Sequence, residues 1–212
     1  IKAAFSFAPP SILSLTIYFR LPEYAIAQYW NDISSAAPNT DFVIYNIPQL
    51  AGVALTMNLF AEMRKNPRVI GVKNSSMPVQ DIQMFREAAG EDYIIFNGPD
   101  EQFMSGRVIG AEGGIGGTYG VMPELFLKMD EYVKAGDMEK AKEVQYAVNA
   151  VIYKMCSAKG NMYDVIKAIL KINEGLELGS VRKPLPSLVD TDYAIVEEAA
   201  KMIRDAKTKF LG

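Results

Sequence analysis

Short apolar runs that each lead into a proline, glycine or asparagine recur through the first 120 residues. That rhythm limits the fold more than any other feature of the chain. The runs are AAFSFAPP (3–10), DFVIYNIP (41–48), RVIGVKNSS (68–76) and YIIFNGPD (93–100), with a glycine-rich fifth, GGIGGTYG (113–120), at a matching interval. They are continuously apolar where a half-exposed strand would alternate, which is the pattern of parallel strands covered on both faces. Residues 54–65, 81–89 and 101–109 read as helices between them; Ile82, Phe85 and Ala88 stand three apart. Strand followed by helix, repeated, is a series of βα units.

The second half changes character. Residues 123–134, 137–157, 161–173 and 191–209 all read as helices. In the longest, Ala141, Val144, Val148, Val151, Ile152 and Met155 form one stripe. Pro184 and Pro186 mark a loop before the last helix. Five βα units with a helical tail suit two architectures, an open doubly wound sheet or part of a (β/α)8 barrel. A full barrel takes about 250 residues, and five strands do not close one of eight.

Composition narrows the chemistry. The 212 residues contain no histidine and one cysteine, Cys156. A Ser-His-Asp or Cys-His nucleophile system and any zinc site built on imidazole are therefore excluded within this sequence. One cysteine closes no internal disulfide, which fits a reducing compartment without establishing one; a cytoplasmic location is the expectation. The net charge is −3 with Lys and Arg scattered, so no clustered basic face for nucleic acid is expected. No run of 18 apolar residues occurs, so no membrane-spanning helix is expected either. The opening stretch resembles a signal peptide only until Pro9 and Pro10 interrupt it. Lys, Tyr, Asp, Glu, Ser and Thr remain as the side chains available for catalysis.

Those side chains fall at the C-terminal ends of successive runs. Tyr45 ends the second, Lys73 the third, and Asp100 and Glu101 the fourth; Gly116, Gly117 and Thr118 lie in the fifth. In parallel α/β folds that edge is where ligands bind. A lysine there is either snorkelling to solvent or serving as a nucleophilic amine. Burial disfavours the ammonium form, lowers a lysine pKa from its usual value of about 10.4, and frees the lone pair for attack on a carbonyl. Tyr45 is the natural proton relay beside it, or else a core tyrosine bonded to backbone. Asn46 orients a neighbour or shapes the turn before Pro48. Asp100 is a helix N-cap, a ligand contact, or both. The glycine cluster lacks the G-x-G-x-x-G spacing of a phosphate cradle and reads instead as close backbone approach to a ligand, or room for one.

Taken together, YNIP followed by LAG, then GVKNSS, FNGPDE and GGIGGTYG, in that order and spacing, resemble the dihydrodipicolinate synthase and N-acetylneuraminate lyase superfamily. The resemblance implies a (β/α)8 barrel of class I aldolase type. Residues 1–122 would hold strands 4 to 8 of it, and residues 123–212 a helical region packed on the barrel. It implies that Lys73 is the Schiff-base lysine and that Tyr45 shuttles a proton and touches the substrate carboxylate. By the same resemblance Ser75 lies near the bound substrate, Gly98, Asp100 and Glu101 match the segment holding sugar hydroxyls, and Gly117 occupies a position usually held by Ser. The lyase branch fits best, because Gln49 and Leu50 follow the YNIP motif where the synthases usually carry an Arg. The implied activity is reversible cleavage of N-acetylneuraminate (sialic acid) to N-acetylmannosamine and pyruvate. No metal or organic cofactor, no nucleic acid and no membrane are implied, and a homotetramer is. A sister aldolase acting on another 2-keto acid is the alternative within enzymes, since glycine at 117 leaves room. A non-catalytic remnant that binds sugar or a partner subunit is the alternative outside them.

Two departures accompany the resemblance. Residues 3–10 match the fourth barrel strand, so the chain is expected to be part of a longer lyase whose first three strands precede it. After APP the family usually places an aromatic tyrosine; here the chain reads SILSLTI, and Tyr18 is the nearest phenol.

Overall fold

The computed structural model of the protein describes residues 11–13 as backbone and residues 19–212 in full. The chain divides into two compact units, Ile1–Pro99 with Ser105–Ile115 and Asp100–Met104 with Gly116–Gly212.

In the first unit, β1 (Ser11–Leu13), β2 (Phe42–Asn46), β3 (Val69–Asn74), β4 (Ile94–Asn97) and β5 (Gly113–Gly114) form one parallel sheet in the order β1-β2-β3-β4-β5. The strands thus neighbour one another in chain order without reversal, whereas a doubly wound sheet reverses at its switch point. Three of the helices between them pack on one face, whereas α5 (Phe103–Val108) gives Phe103 to the other core. Helix α1 (Glu23–Ala36) contributes Ile26 and Trp30, α3 (Met57–Met63) Leu59, Phe60 and Met63, and α4 (Gln80–Ala89) Ile82 and Phe85. They meet Phe42, Ile44, Val72 and Ile95 from the strands. Phe60 and Phe85 cross edge to face with centroids 5.0 Å apart. Full burial of each such side chain contributes about 1.5–3 kcal/mol. A sheet wound strand by strand with helices on one side is an arc of a (β/α)8 barrel. The doubly wound alternative is excluded.

The local signals are those of the sequence. Thr56 caps α3, its Oγ1 accepting from the Leu59 N–H at 3.1 Å. Short α2 (Pro48–Ala51) and later α6 (Pro123–Ala135) begin on proline, where the missing N–H removes no bond. Four expectations shift. The run at 113–120 is strand only at Gly113–Gly114, and Thr118–Gly120 forms a 3-10 turn. Ala88 is exposed; Ala89 joins the core instead, completing an i, i+3, i+7 stripe with Ile82 and Phe85. Helix α1 falls where no helix is expected. The strand expected at 3–10 and Tyr18 lie outside the described residues, and the strand beside β2 is Ser11–Leu13, within the SILSLTI stretch.

In the second unit, α6, α7 (Met138–Cys156), α8 (Met162–Glu174) and α9 (Tyr193–Leu211) share one core. The stripe read on α7 is buried as expected, with Val144, Val148 and Met155 fully enclosed against Leu125, Ile169 and Ile203. Helices α7 and α8 are capped by Asp137 and Asn161, and α6 and α8 stop at the left-handed glycines Gly136 and Gly175. No helix among the described residues is long and apolar enough to cross a membrane.

Two buried carboxylates organise the long connection between α8 and α9. Asp164 accepts from the N–H groups of Leu188 and Val181 and from the Ser180 hydroxyl. Asp192 accepts from the N–H groups of Lys159, Gly160 and Val189 at 2.9–3.0 Å. Led by the Lys159 N–H, these donors hold the Asp192 carboxyl below the usual carboxylate range. A lowered folded-state pKa stabilises the fold above the unfolded value of about 3.9, and the gain disappears as pH falls through the folded value. Asp192→Asn is therefore expected to unfold at lower urea than the parent at pH 7, with the gap narrowing below about pH 4.

Candidate active site

Strand register sets the geometry of the first unit. Tyr45 pairs with Lys73 across β2 and β3, and Lys73 pairs with Phe96 across β3 and β4. Successive strand residues point to opposite faces. The row Tyr45, Lys73, Phe96 therefore lies on the face away from Ile44, Val72 and Ile95, which pack under the helices. Lys73 is half-buried, and its Nζ stands 3.8 Å from the centroid of the Tyr45 ring. The amine thus lies against the face of the Tyr45 ring, with Phe96 on the strand at its other flank. Phe96 is not among the sequence candidates. Its signal is present all the same: the dipeptides Tyr45–Asn46, Lys73–Asn74 and Phe96–Asn97 end three successive strands, and aligning them puts the three front residues in one row.

Behind that row the three asparagines are buried. Asn46 donates from Nδ2 to Asn74 Oδ1 at 2.7 Å, and the Asn46 Oδ1 accepts from the Leu55 N–H at 3.0 Å. The orienting role read for Asn46 is therefore directed at β3.

Ser75 and Gly98 also come together. The Ser75 N–H donates to the Asn46 carbonyl and the Gly98 N–H to the Asn74 carbonyl, both at 2.7 Å, which carries the ladder one step past each strand end. A Cβ on Gly98 would lie 2.0 Å from Ser75 Oγ and 2.7 Å from the Asn74 carbonyl oxygen. Only glycine permits this approach. Gln49, after β2, donates to the Ser75 carbonyl at 3.1 Å and ties the two loops together.

In the second unit Asp100 is buried, and its Oδ2 accepts from both the N–H (2.8 Å) and the hydroxyl (2.6 Å) of Thr118. A Cβ on Gly116 would fall 1.4 Å from Asp100 Oδ1, so the glycine run is the surface against which this carboxylate packs. Gln145 of α7 fastens the same segment, accepting from the Met104 N–H at 2.8 Å and donating to the Asp100 carbonyl at 3.2 Å. Glu101 is exposed, and its carbonyl accepts from Asn149. The space beside Gly117 is not open: a Cβ there would meet Tyr163 Oη at 3.0 Å and Met162 Cε at 3.4 Å. The room read at Gly117 is taken by Tyr163, a half-exposed phenol that is not among the sequence candidates.

Cys156 is no rival nucleophile. Desolvation first, and the Glu101 charge second, push its thiol pKa up, opposite to what thiolate chemistry needs. Among the described residues no group of three or more Cys, Asp or Glu side chains is arranged to hold a metal ion.

The sequence matches the Dihydrodipicolinate synthetase family over residues 11–203. It is 80% identical over 195 residues to an N-acetylneuraminate lyase of Mediterraneibacter gnavus, an alignment covering 92% of this chain and 62% of that protein. Among solved structures, wild-type Ruminococcus gnavus sialic acid aldolase is 76% identical with a TM-score of 0.92, over 99% of this chain and 69% of that one. A catalytic lysine mutant of that aldolase is 77% identical with a TM-score of 0.93, over 95% of this chain and 66% of that one. The chain thus spans about three fifths of the length of the curated relative. A parallel sheet wound in chain order and a family match over 11–203 agree: the chain belongs to the dihydrodipicolinate synthetase family.

Proposed function

We propose that the chain is the Schiff-base portion of an N-acetylneuraminate lyase, reversibly cleaving N-acetylneuraminate to N-acetylmannosamine and pyruvate. The observation that carries this reading is the contact between the Lys73 amine and the Tyr45 ring at the C-terminal edge of the parallel sheet. Similarity to a lyase and to an aldolase known with a catalytic lysine mutation supports it.

In this reading the Lys73 amine attacks the C2 keto carbon of the open-chain sugar, and loss of water leaves an iminium. The C4 hydroxyl proton passes to Tyr45, assisted by the substrate carboxylate. The C3–C4 bond then breaks, its electron pair moving into the iminium to give an enamine. N-acetylmannosamine departs as the aldehyde. Protonation of the enamine at C3 and hydrolysis by water release pyruvate and restore the amine. The phenol beside the lysine supplies a general acid and base within reach, and Phe96 gives the amine an apolar neighbour. Ser75 and Gly117 would border the substrate, while Gly98, Asp100 and Glu101 would serve its hydroxyls. With Asp100 Oδ2 held by Thr118, Glu101 is the more available acceptor. A homotetramer and a cytoplasmic location complete the reading on the same resemblance.

Borohydride reduction in the presence of pyruvate, followed by peptide mass mapping, tests it. A reduced pyruvate adduct on Lys73 is expected, and none in Lys73→Ala. A parent chain that yields no adduct, or an adduct on another lysine, would overturn the reading. Thr118→Val separates the two ends of the substrate. Loss of its bond to a buried carboxylate, about 1–3 kcal/mol, is expected to weaken use of N-acetylmannosamine roughly tenfold or more in the condensation assay while leaving pyruvate trapping unchanged.

A further inference from the structure

A directional chain of hydrogen bonds runs directly behind the Tyr45–Lys73 pair, and the chemistry above does not use it. The Leu55 N–H donates to Asn46 Oδ1 at 3.0 Å, and Asn46 Nδ2 donates to Asn74 Oδ1 at 2.7 Å. Asn74 Nδ2 donates to Ser76 Oγ at 2.8 Å, and the Ser76 hydroxyl donates to Asp81 Oδ2 at 2.6 Å. The Ser76 hydroxyl also lies 3.1 Å from Asn74 Oδ1 and 3.5 Å from the Pro78 carbonyl, but Asp81 is its nearest acceptor, and with that bond made these four links run from a backbone N–H to a carboxylate. Asn46, Asn74 and Ser76 are only 4%, 1% and 4% exposed. Asp81 stands in the first turn of α4, where the helix dipole favours negative charge. Bonds aligned head to tail polarise one another, and the last is charge-assisted.

Such a chain is not what core stability requires. Burying amides and a hydroxyl costs desolvation, and apolar groups of the same shape in their place are often neutral or better. What apolar groups lack is direction. Ile44, Val72 and Ile95 fill space without fixing which residue faces which. Asn46 and Tyr45 are consecutive, as are Asn74 and Lys73. The side-chain bond between the two asparagines therefore ties β2 to β3 at the register step next to the amine and the phenol. Ser76 and Asp81 anchor that bond to α4.

We propose that Asn46, Asn74, Ser76 and Asp81 are positioning residues that hold the Lys73 amine over the Tyr45 ring, a role that rests on the Schiff-base reading of that pair. The test is the rate of borohydride trapping as a function of pyruvate concentration, on the full 212-residue chain, with thermal unfolding in parallel. Ser76→Ala and Asp81→Ala are expected to lower the maximal trapping rate about tenfold, the scale of a small misplacement of reacting groups. The half-saturating pyruvate concentration stays unchanged, and Ser76→Thr, which keeps the hydroxyl, restores the rate. Should Ser76→Ala fail to fold, Asp81→Ala, at the less buried end of the chain, gives the same comparison. Parental rates in the alanine variants would overturn the positioning role while leaving Lys73 chemistry intact. So would a rate loss in Ser76→Thr equal to that in Ser76→Ala. A parent chain without adduct overturns the Schiff-base reading and this role with it.

Discussion

Everything at the strand ends depends on the parallel register of β2, β3 and β4. Because side chains alternate along a strand, a slip of one residue would exchange the two faces of the sheet. It would send the lysine under the helices and an asparagine to the front. The apolar back face resists such a slip, since Ile44, Val72 and Ile95 would lose their cover. The asparagines add what the apolar residues cannot, a contact satisfied at only one alignment. Chemistry in front and register control behind are therefore carried by adjacent residues of the same strands.

The second unit fixes its segment differently. There the carboxylate of Asp100 grips the turn at Thr118, and Gln145 grips the backbone on either side of Phe103. The aromatic rings of Phe103, Tyr119 and Phe126 lie beneath, Tyr119 stacked on Phe126 at 4.0 Å and Phe103 edge-on to both. Polar bonds set the direction of the segment, and the rings supply the cohesion.

Much of this was legible beforehand. The apolar runs marked β2, β3 and β4, and the helical stripes marked α4 and α7, because burial on both faces or on one stripe leaves a periodic trace. Lys73 stood out because an ammonium group ends an apolar run. Helix α1 is harder to see, because its Asn, Asp and paired Ser are weak helix signals, and the stripe of Ile26, Trp30 and Ile33 needs the sheet beneath to make sense. Residues 113–120 have the interval of a strand, yet only two residues pair, because Gly116 and Thr118 are shaped to the Asp100 carboxylate and not to a ladder. Phe96 and Tyr163 were missed for one reason. Their places follow from register across strands and from a neighbour 46 residues away, since residue 163 lies beside residue 117, and neither is a local property of the sequence.

The connection between α8 and α9 carries a different lesson. Leu176, Leu178 and Leu185 on it are all exposed, and only Leu188 packs on the core, so hydrophobic cover holds little of the segment. It is fastened by the carboxylates of Asp164 and Asp192, through backbone N–H groups that every residue except proline possesses. Substitutions at its outward positions therefore leave the loop's fastening in place, whereas a change at either aspartate removes several of its anchors at once.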